Sequence, residues 1–386
     1  MSWRRGAGAL LVGALAHLSA ACGPAWGDAY LDAMAAGQRA YHAGRYGEAA
    51  ALYQKAVDSA QRLKDRDEAM LLVARMQERE GHLDEARATY EAIANATPPG
   101  PRLVRGVIGA AQILIDQGRE TEGYARLLDV AKKHPEHGDA RTALLRVMEH
   151  EHDVGGDPAV LAFLKREQPA FDKTELALFF DYEIAKSTAD TGDLTKARDL
   201  FIAHARAHPY PLGPYTDDAF SRAADIEVQL GRPKEAIALL KEMLSTLERS
   251  EKPGSYERPR YPEGQWKIAE IFRDKLHDNA SARREFHRLY TDHPYAKQRD
   301  DALWEEAKLA VADGDASDAC DLVAKIHDEM PQSRYVRCGR ELCKTAEPPP
   351  PVKSDAKVRE SANECPDYIV RSLRGEKDRE PDEKGD

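Results

Sequence analysis

Small and apolar residues recur every three or four positions through most of the chain, and short breaks of glycine, proline or aspartate interrupt them at regular distances. In Gly44-Arg-Tyr46-Gly-Glu-Ala49-Ala-Ala-Leu-Tyr53-Gln-Lys-Ala56, the residues Tyr46, Ala49, Tyr53 and Ala56 fall on one face of a helix that starts just after a glycine. The segments opening at Gly81, Gly192 and Gly231 repeat the arrangement, with Ala86, Ala197 and Ala236 in the place of Ala49. Gly44, Gly81 and Gly118 are 37 residues apart, Gly192 lies 74 further on, and Gly231 and Gly314 follow after 39 and 83. Pro98, Pro135, Pro209 and Pro331 each follow a glycine of this series by 17 residues. Proline lacks an amide proton and clashes with the preceding turn, so it ends the second helix of each unit. The pattern predicts helix pairs with a glycine turn inside each pair, and alanine where two helices cross too closely for a larger side chain. Pairs of this kind cannot bury their apolar faces alone, so the expected fold class is all-α, a solenoid of stacked neighbours.

These residues resemble the tetratricopeptide repeat, a helix-turn-helix unit of about 34 residues. Gly37, Gly44, Tyr46, Ala49, Tyr53 and Ala56 match its small, glycine and aromatic positions in the first unit, and Ala74, Ala86, Tyr90 and Pro98 in the second. Ala111, Gly118 and Pro135 match in the third, Ala185, Ala197, Phe201 and Pro209 in the fifth, and Ala224 and Ala236 in the sixth. Trp266, Ala282, Phe286 and Pro294 form a seventh, and Ala307, Ala319 and Pro331 an eighth. The resemblance implies a right-handed superhelical solenoid of about eight units: 28–137 for units one to three, 138–171 for a divergent fourth, and 172–333 for units five to eight. The fourth ends at Pro169 but is interrupted by Val154-Gly-Gly-Asp-Pro158 and is expected to lack a turn glycine in register. The seventh carries His277-Asp-Asn279 where the turn glycine should stand. Two longer connections, His208–Tyr215 and Arg249–Gly264, are rich in proline, tyrosine and glycine and are expected to pack as connectors between irregular repeats.

The ends follow other rules. Arg4 and Arg5, the apolar stretch Gly6–Leu18 and the small residues Ser19-Ala20-Ala21 form an export signal, so Met1–Gly27 is set apart from the fold. Ser19 and Ala21 suit ordinary signal peptidase. Cys22 after small residues also resembles the lipobox of bacterial lipoproteins, which implies lipidation of Cys22 and, with Gly23 next, passage to the outer membrane. After a short capping segment, 334–346, comes the Pro-rich spacer Glu347–Val352 and a polar acidic tail to residue 386, expected to be largely disordered. Besides Cys22, the cysteines are Cys320, Cys338, Cys343 and Cys365. In an oxidising compartment they suggest two disulfides, with Cys320–Cys338 and Cys343–Cys365 the expected pairing; their spacing holds no Cys-x-x-Cys pair that would favour zinc.

Formal charge is -11, which sets the chain's field against phosphate backbones and excludes nucleic acid as a main partner. The sequence contains no phosphate-binding glycine loop, no Gly-x-Ser-x-Gly elbow and no His-Glu-x-x-His helix, so neither enzyme activity, nor a cofactor, nor a small-molecule substrate is expected. Asp190–Asp193 and Asp313–Asp315 resemble calcium-loop fragments but fall at repeat turns, where aspartate caps a helix. His134, His137, His150 and His152 cluster in sequence beside carboxylates as a titratable face. The resemblance implies a ligand groove lined by the first helix of each pair. Carried onto this sequence, it selects Gln38, Arg75, Gln112, Arg146, Lys186, Asp225, Ile271 and Lys308. One turn earlier come Met34, Leu71, Ile108, Thr142, Tyr182, Ser221, Lys267 and Trp304; Tyr41 adds a further ring. Arg and Lys beside aromatic groups suit an extended peptide, particularly an acidic one. The stretch Tyr290–Trp304 also resembles the periplasmic repeat lipoproteins of outer-membrane β-barrel assembly and the repeat-bearing coordinator of the Tol-Pal machinery. The expected function is a non-catalytic protein-binding scaffold of the bacterial envelope; a glycan-cleaving envelope enzyme and an intracellular adaptor are the alternatives.

Overall fold

The computed structural model describes residues 27–211, 213–246 and 260–346. These residues form sixteen helices and no strand, in an all-α solenoid of stacked pairs. The chain divides into two compact units, to Phe180 and from Asp181, with the boundary inside a helix.

The first unit holds α1 (Asp28–His42), α2 (Tyr46–Ser59), α3 (Leu63–Arg79), α4 (Leu83–Ala94), α5 (Leu103–Asp116), α6 (Glu120–Lys133) and α7 (Gly138–Glu167). The boundary helix α8 (Ala177–Asp190) leads into the second unit. There follow α9 (Leu194–Ala207), α10 (Thr216–Gln229), α11 (Pro233–Leu244), α12 (Arg260–Glu270), α13 (Asn279–Asp292), α14 (Arg299–Ala312), α15 (Ala316–Glu329) and the short α16 (Gly339–Leu342). Each pair turns on one residue with positive φ: Gly44, Gly81, Gly118, Gly156, Gly192, Gly231, His277 and Gly314. That conformation ends a helix by bonding its last carbonyls, and glycine reaches it without the penalty a Cβ brings.

One member of this series revises the expected register, and another shows which residue replaces glycine. The fourth unit does have a turn glycine: Gly156, 38 residues after Gly118 and 36 before Gly192. It sits at φ 66° and ψ -165°, where α7 kinks with no loop between its halves. Pro158 is tolerated because it lies in the first turn after that break, where its missing amide proton removes no helical bond. In the seventh unit, His277 takes the turn itself at φ 52°, 37 residues before Gly314.

The crossing alanines Ala49, Ala86, Ala197, Ala236, Ala282 and Ala319 are wholly buried, as are Ala74, Ala111, Ala185, Ala224 and Ala307 on the first helices. Gly37 belongs with them: a Cβ there would lie 2.6 Å from the Tyr53 ring. Aspartates cap the turns as expected, Asp193 accepting from the Lys196 amide at 3.2 Å and Asp315 from that of Asp318 at 3.1 Å. The 208–215 connection is packed: Tyr215 stacks on Tyr182 with centroids 4.7 Å apart, and Thr216 Oγ1 donates to the Gly213 carbonyl at 3.0 Å. Of the other long connection, residues 260–264 are already helical in α12, with Tyr261 buried, because Tyr261 and Gly264 close onto the core rather than serve as a loop. Its preceding part lies outside the described residues, as do the signal segment with Cys22 and the tail with Cys365.

The cysteine pairing departs from expectation. Cys320 bonds Cys343, not Cys338. Two short turns, Arg334–Arg337 and α16, reverse the chain, so that Cys343 returns to the start of α15. Cys338 is itself disulfide-bonded, and it lies buried in the apolar cluster of this end. The capping segment closes the second unit: the Tyr335 ring stacks on Trp304 at 4.7 Å, and its hydroxyl donates to Asp301 at 2.8 Å.

Candidate functional site

In the first unit, α1, α2 and α3 enclose a cleft of about 380 Å³ lined by Gln38, Tyr41, Tyr53, Leu72, Arg75 and Glu78, among others. The period explains the juxtaposition. Gln38 and Arg75 are 37 residues apart, so they hold the same position on successive first helices. Buried Tyr53 forms the floor, packed against Gly37, while Gln38 and Arg75 stand exposed at the rim. The Gln38 amide lies 2.9 Å from His42 Nε2. Burial pushes the Glu78 carboxyl upward, an effect reduced by a hydrogen bond from Tyr90 and the nearby Arg75 guanidinium. Tyr90 is raised in turn, by burial first and then by Glu78, and stays a neutral donor. The cleft therefore offers an aromatic floor, an amide and a guanidinium. Those are the groups that bond the backbone or carboxylates of an extended peptide.

Most of the remaining groove positions are buried or held by partners of the same chain. Arg146 Nη1 donates to Gln112 Oε1 at 2.7 Å, and Gln112 Nε2 to Asp116 at 2.9 Å, tying neighbouring helices. Tyr182 is buried beneath Tyr215, donates to Asp218 and accepts from Arg222 Nε at 2.7 Å. Trp304 is buried beneath Tyr335. Lys186 lies 3.4 Å from Glu183, Lys267 2.8 Å from Asp225, and Lys308 2.9 Å from Glu305, which also takes Arg273 at 2.6 Å. In the second unit the row of basic residues is thus matched by carboxylates of the same chain. Leu71 and Ile271 are buried as well. Among the described residues, the structure brings Gln38, Tyr41 and Arg75 together as an open site and places Tyr182 and Trp304 inside the packing.

The histidine cluster of the sequence disperses into separate local roles. His150 stacks on Tyr124 at 3.8 Å, His137 Nδ1 accepts from the Asp139 amide at 3.1 Å, and His152 lies 3.5 Å from Asp157. A different group forms instead: Asp181, His204 and His208 bring one ligand atom each within 4.8 Å of one another. Sequence reasoning passed over it, although two histidines four apart at a helix end were its visible trace.

No helix among the described residues is long and apolar enough to cross a membrane. No curated protein matches the chain in sequence. Among solved structures, it is similar to a tetratricopeptide repeat protein from Parabacteroides merdae (14% identity, TM-score 0.34, covering 72% of this chain and 99% of that one). It is also similar to the C-terminal part of a repeat-containing protein from Cytophaga hutchinsonii (15% identity, TM-score 0.39, covering 69% and 98%). Neither neighbour bears on what this chain binds. Residues 34–101, which span the cleft, match the tetratricopeptide repeat family.

Proposed function

We propose that the chain is a non-catalytic protein-binding scaffold of the bacterial cell envelope, exported by Met1–Gly27 and anchored by lipid at Cys22. In this reading it captures an extended, carboxylate-bearing segment of a partner protein in the cleft of the first two helix pairs. One observation carries the binding role: an aromatic floor with exposed Gln38 and Arg75 donors, at a position that recurs with the repeat, inside the segment that matches the repeat family. Export and anchoring rest on the basic, apolar and small-residue run that ends at Cys22. A single acyl chain holds a protein only marginally and several hold it stably, so the anchor depends on full lipidation.

The test is photo-crosslinking in intact cells, with the reactive residue placed at Leu72 in the cleft or at exposed Gln54 on α2. A discrete protein adduct from position 72, lost on Arg75→Glu and absent from position 54, supports the reading. Equal adducts from both positions, or none from either, refute it. Fractionation of Cys22→Ala decides the anchor separately: release from the membrane fraction supports lipidation, and unchanged partition refutes it.

A further inference from the structure

Helix α9 closes with two histidines one turn apart. Side chains four residues apart on a helix share a face, so His204 and His208 present their imidazoles together, with ring centroids 5.2 Å apart. Asp181 on α8 completes the group, each residue giving one ligand atom within 4.8 Å of the others. His204 is 5% exposed, and neither of its ring nitrogens has a hydrogen-bond partner. That arrangement is costly, since a neutral imidazole carries one donor and one acceptor and each loses its water on burial. Tyr182 and Tyr215 flank the ring at 6.2 and 6.1 Å, so ready access to bulk water does not relieve it. Burial, and then the facing His208, hold the His204 pKa below its ordinary value, against the raising effect of Asp181.

We propose that Asp181, His204 and His208 bind a divalent transition-metal ion of the zinc class. Two imidazoles and a carboxylate are borderline ligands that suit zinc, cobalt or nickel and make a poor cage for calcium or magnesium. Zinc bonds of about 2.0–2.2 Å set tetrahedral ligand atoms roughly 3.3 Å apart, so loading draws the three groups inward by up to about 1.5 Å. His208 is placed to make that movement, because it caps α9 and opens the 208–215 connection rather than sitting within a helix. Three protein ligands leave a fourth position for water or for a side chain from a bound partner. The ion would pin the connection to α8 while giving His204 the partner it lacks.

The test uses the full chain titrated with zinc chloride against a chromophoric chelator, alongside His208→Ala and Asp181→Asn. One tight site per chain is expected, weakened at least about 100-fold in either variant with helicity unchanged, and cobalt should give the visible bands of a four-coordinate ion. His204→Ala leaves a cavity and is open to misfolding, so the two less buried positions carry the test. Equal zinc affinity in wild type and both variants would overturn the proposal. Absence of a tight site in the folded wild type would overturn it too.

Discussion

Replacing both Cys320 and Cys343 by serine tests what holds the end of the second unit. The disulfide closes a loop of sequence separation 23 and leaves the buried Cys338 untouched. With that loop length, chain entropy gives 298 K × (2.1 + 1.5 R ln 23) cal/mol/K, about 3.4 kcal/mol, as the stabilisation lost when the end unfolds as one piece. In a stacked array the loss stays local, because each pair touches only its neighbours. The effect should therefore show in residues 320–346 and fade toward α12. At 1.36 kcal/mol per decade, 3.4 kcal/mol is a roughly 300-fold rise in the population of the opened end. Native-state hydrogen exchange followed by mass spectrometry reads that number directly: amides of α15 and the capping turns should exchange up to about 300-fold faster in the variant, with those of α1–α6 unchanged. Trp304 fluorescence should shift in parallel as Tyr335 leaves it. Exchange altered less than threefold at this end, or accelerated equally throughout the chain, would refute the assignment of the cap's stability to loop closure.

Three further outcomes follow from individual residues. Asp67 is buried with Oδ2 unpartnered, and burial pushes its carboxyl above the ordinary value of 3.8 despite a backbone bond from Arg102 and the nearby arginines. Its contribution to stability is thus fully present below 3.8 and lost as pH rises through the higher folded value, so the Tm of Asp67→Asn should gain on wild type between about pH 4 and 7, whereas a constant difference would contradict this. His277→Gly should stabilise by up to about 1 kcal/mol, since a side chain in the left-handed region costs roughly 1–2 and the added glycine entropy returns about 0.5–1; Gly314→Ala should destabilise by a similar amount, and urea denaturation that ranks the pair the other way would remove the turn argument.

Much of the architecture was legible because each unit uses few residues to do repeated work. A glycine in the turn, an alanine at the crossing and a proline at the end recur at one spacing, and their physical roles hold whatever fills the other positions. The fourth unit departs from expectation because Val154-Gly-Gly-Asp-Pro158 reads as an interruption in the sequence, whereas Gly156 inside it takes the positive φ of a turn while the helix resumes at once. The disulfide was misjudged because nearness in sequence favoured Cys338, whereas two short turns bring Cys343 to Cys320. For the groove, the period located positions but not exposure. Tyr182 and Trp304 occupy groove-type positions, yet Tyr215 and Tyr335 come from segments outside the repeat pattern to cover them. The metal-type cluster required Asp181 to meet residues more than twenty positions away, which no local pattern announces.

The eight single-residue turns have a consequence for how such a chain changes length. Because the faces that meet between neighbours are rebuilt at every period, removing the stretch from one turn glycine to the next joins surfaces of the same kind. The cleft depends on two adjacent pairs and the histidine cluster on a different one. Whole periods can then be gained or lost between them, so that each feature is inherited separately from the other.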